Sequence, residues 1–108
     1  MIVVENKEQL RELINQRVKE QGPDCDLNDI DVSKIDDMSG LFLHSKFIGD
    51  ISEWDVSRVR SMNSMFTYSR FKGSISKWDV SNVEDMESIS EDSPSLGYMW
   101  SSEMRGIE

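Results

Sequence analysis

Three aspartates, Asp31, Asp55 and Asp79, recur at a spacing of 24 residues, each followed two positions later by a serine, Ser33, Ser57 or Ser81. If the chain stacks at that period, the carboxylates lie about 4.8 Å apart, one strand spacing, which invites a metal ladder. Like charges that close repel unless a cation compensates. The commoner use of Asp at such a place is to accept backbone N–H bonds at a corner of the chain, with the serine joining in, and that use is expected here. Asp24, Asp26 and Asn28 imitate the start of a calcium loop. Asp29, however, stands where that loop needs glycine, and Ile35 where it needs a bidentate Glu. His44 is the only histidine, and no G-x-S-x-G nucleophile motif accompanies it. Cys25, the only cysteine, is flanked by Asp24 and Asp26. Acidic neighbours raise a thiol's pKa and make it a poor nucleophile. A P-loop, a G-x-G-x-x-G turn and an H-E-x-x-H helix are all missing from the sequence. The expectation is no catalytic residue, no metal site and no cofactor, hence no enzyme.

The elements that would position these side chains follow from periodicity. Ile2-Val3-Val4 is a β-branched run that predicts a short strand. Asn6 is a helix N-cap candidate with Gln9 three residues on. Leu10, Leu13, Ile14 and Val18 then make one apolar helical stripe, and Gly22-Pro23 ends it. After Pro23 the chain repeats with a period of 24 residues, from Leu27, Ile51 and Ile75. The columns Ile30/Trp54/Trp78, Val32/Val56/Val80, Ile35/Val59/Val83, Met38/Met62/Met86 and Leu41/Met65/Ile89 keep the apolar pattern, with Phe42/Phe66 and Phe47/Phe71 beside them.

A fixed period of this length signals stacked units that each cover a neighbour's apolar edge. Ile51, Trp54 and Val56 fit the L-x-x-L-x-L start of a leucine-rich repeat. The spacing predicts a strand near 51–56 and a helical segment near 61–67 in each coil. The fold class expected is an α/β repeat: a short leucine-rich-repeat-like solenoid of three 24-residue coils with parallel strands. A strand-helix cap over 1–26 precedes the repeats of 27–90, and an irregular cap over 91–108 follows them, all within one domain of 108 residues.

Two stretches carry a resemblance. Phe47 to Phe66 reads FIGDISEWDVSRVRSMNSMF, and Phe71 to Ile89 reads FKGSISKWDVSNVEDMESI. Trp-Asp-Val-Ser followed at fixed offsets by Met-x-x-Met-Phe resembles the BspA-type leucine-rich repeats of bacterial surface proteins. The resemblance covers residues 27 to about 90. It implies a leucine-rich-repeat fold and a role in binding proteins or surfaces, with no catalytic residue to carry over.

Charge narrows the partner class. The formal net charge is −9, which argues against direct nucleic-acid binding. No apolar stretch is long enough to span a membrane, and no signal peptide is visible, so a cytoplasmic location is expected. Residues 24–37 hold six acids and one Lys, and 78–104 hold seven acids and no base. Residues 46–77 carry six bases, Lys46, Arg58, Arg60, Arg70, Lys72 and Lys77, against three acids.

If the apolar columns pack, the variable ones are free for recognition. The expected function is a non-enzymatic module that binds another protein. Its candidate partner-binding residues are Arg58, Arg60, Tyr68, Arg70 and Lys72, with Glu84, Asp85 and Glu87 beside them. An alternative is an acidic inhibitor of the phage anti-defence, anti-CRISPR or antitoxin type. Its carboxylates at Glu84, Asp85, Glu87, Glu91 and Asp92 would stand in for phosphates on a basic or nucleic-acid-binding target. A third is a fragment of a surface adhesin. An exposed strand edge would also be open to dimerisation.

Overall fold

A computed structural model describes residues 1–89 of the chain; the expected C-terminal cap over 91–108, and with it Glu91 and Asp92, lies outside them. Strand β1, Ile2–Val3, is followed by helix α1, Lys7–Gln21, and then by strand β2, Ile30–Asp31. The strands pair in parallel, Ile2 with Ile30 and Val3 with Asp31.

Local chemistry explains α1. The Asn6 side chain accepts the Gln9 N–H at 2.9 Å, and the Gln9 side chain reaches back to the Glu5 N–H at 2.7 Å. Gly22, at φ 96°, ends the helix, and its N–H returns to the Val18 carbonyl. Leu10 and Ile14 are buried in the core, and Leu13 and Val18 pack against it. Polar contacts fix the helix on the residues that follow. Arg17 grips the Asp29 carboxylate with two bonds of 2.9 and 2.6 Å, and the Lys7 ammonium meets Asp37 and Ser39.

The expected three-coil solenoid, with a strand and a short helix in each unit, is not what forms. Among the described residues, regular structure amounts to one helix and one two-stranded parallel sheet. Elsewhere the chain is a series of four-residue turns joined by isolated parallel bridges, Asp26 with Asp50 and Ser61 with both Asp37 and Asp85. Residues 51–56, predicted as strand, hold a turn closed by the Trp54 N–H on the Ile51 carbonyl. Residues 61–67, predicted as helical, hold turns closed by Met65 on Met62 and by Thr67 on Ser64; Ser69 on Phe66 closes the next.

Backbone angles give the reason. Ser64 and Tyr68 are at φ 55°, and one unit earlier Gly40 and His44 are at φ 65° and 58°. These are third residues of turns 62–65, 66–69, 38–41 and 42–45. A positive φ there marks a type II turn and stops a right-handed helix. Ser88, at φ 56°, holds the same place in turn 86–89.

The core is drawn from the turn ends. Ile51, Trp54, Val56, Val59, Met62, Met65 and Phe66 are all buried. The rings of Phe42, Phe47, Phe66 and Phe71 stack with centroids 5.2 to 6.4 Å apart. Each buried tryptophan also satisfies its own N–H. Trp54 Nε1 donates to the Leu27 carbonyl at 2.9 Å, and Trp78 Nε1 to the Ile51 carbonyl at 3.0 Å. N–H groups not used inside a turn point to the next unit: Met38 to Ser61, Gly40 to Asn63, Phe42 to Met65 and His44 to Thr67, at 2.8 to 3.0 Å. At Gly49 two backbones come so close that a Cβ would sit 1.8 Å from the Cys25 carbonyl oxygen.

Candidate functional site

The residues that first suggested chemistry sit at the corners. Asp55 Oδ1 accepts the Ser57 N–H at 3.0 Å and the Ser57 hydroxyl at 2.6 Å. Asp79 does the same with Ser81, and Asp31 accepts the Ser33 N–H at 2.9 Å. Asp50 repeats the device with Ser52, a copy that the 24-residue column does not contain. These bonds favour the ionised carboxylate. The serine contacts hold Asp31, Asp55 and Asp79 below the usual carboxylate range, and the Ser52 backbone N–H does so at Asp50.

The calcium-like segment is bound up in local contacts. Asp26 accepts the Asn28 N–H at 2.8 Å, and Asp29 faces the Arg17 guanidinium, whose hydrogen bonds lower its pKa. Cys25 is buried. Its thiol is pushed up chiefly by that burial; Asp24 and Asp26 add to the effect, while Arg17 opposes it. His44 is exposed, and its ring lies on that of Tyr68 at a centroid distance of 4.9 Å.

The candidate binding residues within 1–89, Arg58, Arg60, Tyr68, Arg70, Lys72, Glu84, Asp85 and Glu87, are all exposed. One group of them is brought together at the corner after turn 56–59. The Arg60 carbonyl accepts the N–H groups of Glu84 and Asp85, and the Arg60 guanidinium lies 3.9 Å from the Glu84 carboxylate. Asn63 ties this corner to the acids: its amide donates to Asp85 Oδ2 at 2.6 Å, and its Oδ1 accepts the Glu87 N–H at 2.8 Å. Tyr68 and Arg70 lie beside the preceding unit instead, Tyr68 on His44 and the Arg70 N–H on the Ser45 carbonyl at 3.2 Å.

The charge pattern is partly internal, and magnitudes decide how much. Arg60–Glu84 and Lys77–Glu53 pair across one 24-residue step, yet all four side chains are more than half exposed. Such pairs are each worth roughly 0–1 kcal/mol. No carboxylate among the described residues lies within ion-pair distance of Arg58, Arg70, Lys72 or Lys46. Fold stability therefore makes little use of these cations.

Sequence reasoning missed two features. One is the pair of bonds that Asn63, in the variable column of Glu87, makes to Asp85 and Glu87. The other is a groove between α1 and turns 38–45. Its linings come from segments about thirty residues apart, and no periodicity joins them.

One capped helix and a two-stranded parallel sheet beside a run of turns, apolar inside and charged outside, define a small turn-rich protein. A family model described as "Mycoplasma protein of unknown function, DUF285" matches residues 9–102, and the chain belongs to that family. No curated protein and no solved structure matches the chain. No helix among the described residues is long and apolar enough to cross a membrane.

Proposed function

We propose that the protein is a non-enzymatic binding module that recognises another protein through its variable columns, as BspA-type surface repeat proteins would. The observation that carries the reading is the corner of Arg60, Asn63, Glu84, Asp85 and Glu87, with exposed Arg58 two residues before it in the chain. Its backbone is held by bonds across the units, while its charged side chains stand exposed. A backbone already held in place suits recognition, since less of it has to be ordered on contact. Tyr68, Arg70 and Lys72 extend the same role on the neighbouring face.

The test is affinity capture with the full chain at low and high salt, beside a double Arg58→Glu, Arg60→Glu variant of verified fold. Loss of a defined partner in the variant, with the wild type retaining it, supports the corner. A partner held equally by both proteins would refute it. Competition by nucleic acid for the captured partner would instead favour the inhibitor reading.

A further inference from the structure

The groove missed by the sequence lies on a different face. It measures about 560 Å³ and is lined by Arg11, Asn15, Gly40, Leu41, Leu43, His44, Ser45 and Lys46. Arg11 and Lys46 are exposed, and Leu43 is 44% exposed on this rim. The Arg11 guanidinium donates to the Gly40 carbonyl at 3.4 Å, which holds one cation at the mouth.

Two features separate this groove from the rest of the surface. Among the described residues its lining includes no Asp or Glu, in a chain with 21 acids and 12 bases. Two other grooves each carry carboxylates, Glu84 in one and Glu5, Glu8, Asp36 and Asp37 in the other. The groove also joins an exposed apolar side chain to two cations, with the His44–Tyr68 stack alongside and Arg70 bonded at Ser45. A basic or neutral partner has no counterpart for Arg11 and Lys46, and a purely polar anion makes no use of Leu41 and Leu43.

We infer that this groove docks an acidic protein segment carrying an apolar side chain, its carboxylates meeting Arg11 and Lys46 and its apolar group covering Leu43. Charge complementarity selects the sign of the partner, and Leu43 selects against a bare anion. The site is independent of the Arg60–Glu87 corner.

The experiment is an amide NMR titration of the full chain with a short synthetic peptide of alternating Glu and Leu. Parallel titrations use the Gln-Leu and Lys-Leu counterparts and phosphatidylglycerol vesicles. The acidic peptide is expected to shift amides of residues 11–15 and 40–46 saturably. Lys46→Glu and Leu43→Asn, both at exposed positions, are expected to weaken it about tenfold or more, while Arg60→Glu leaves it unchanged. Equal shifts from the Gln-Leu peptide, shifts centred elsewhere, binding of vesicles but not peptide, or no effect of Lys46→Glu would each overturn the proposal. An effect of Arg60→Glu equal to that of Lys46→Glu would place the site at the corner instead.

Discussion

Ser64 and Ser88 occupy backbone that glycine adopts without cost, and Gly40 fills the equivalent place one unit earlier. An L-residue in this region is disfavoured by about 1 kcal/mol or more, and a β-branched one by more still. Glycine also loosens the unfolded chain, which offsets part of the gain. Ser64→Gly is thus expected to change the urea midpoint little or raise it, whereas Ser64→Val lowers stability by about 1–2 kcal/mol. The corner aspartates give a second prediction. Asp31, Asp50, Asp55 and Asp79 have folded pKa values below the unfolded one, so the folded state binds their protons more weakly. Their contribution is complete above the unfolded value of about 3.9 and is lost as pH falls through the lower folded values. Circular dichroism should therefore show acid unfolding that begins near pH 4 and deepens below it. Asp55→Asn should make the protein less stable at neutral pH and flatten the acid limb. These corner roles were legible in the sequence, because Asp-x-Ser carries its hydrogen bonds within three residues.

At the scale of elements, legibility depended on whether a local pattern has one solution or two. Helix α1 has one: cap, stripe and Gly-Pro stop all agree. Asn6→Ala should cost about 1 kcal/mol by thermal melting, since it leaves the Gln9 N–H without its partner. Residues 62, 65, 66 and 69 had two. Spacing of three, four and seven fits one face of a helix. It also fits two four-residue turns set end to end, whose ends point inward. The buried Met62, Met65, Phe66 and Ser69 are those ends. The choice rested on serine and tyrosine accepting a positive φ, which composition does not advertise. The same ambiguity misplaced the strand at 51–56. There Ile51 and Trp54 are ends of one turn and Val56 starts the next.

Across the whole molecule, contact between units holds the 24-residue steps together, and it is least forgiving where main chains meet. Gly49→Ala would drive a methyl into the Cys25 carbonyl and the Phe47 ring, so a loss of about 3 kcal/mol or more is expected in chemical denaturation. That is a large share of the roughly 5–15 kcal/mol that stabilises a domain. Placement of the exposed charges was half legible. Arg60 opposite Glu84 follows from the period, whereas Arg11 beside Lys46 follows only from how α1 lies on the turns. The buried indoles of Trp54 and Trp78 lie 6.4 Å apart and 5° from parallel. Stacked, parallel transition dipoles weaken one another's absorption, so the folded chain should show hypochromism in the ultraviolet. Trp78→Phe should reduce that hypochromism, and its loss on denaturation would report the separation of neighbouring units directly. The molecule thus contains its own optical ruler for the distance between two successive turns of its chain.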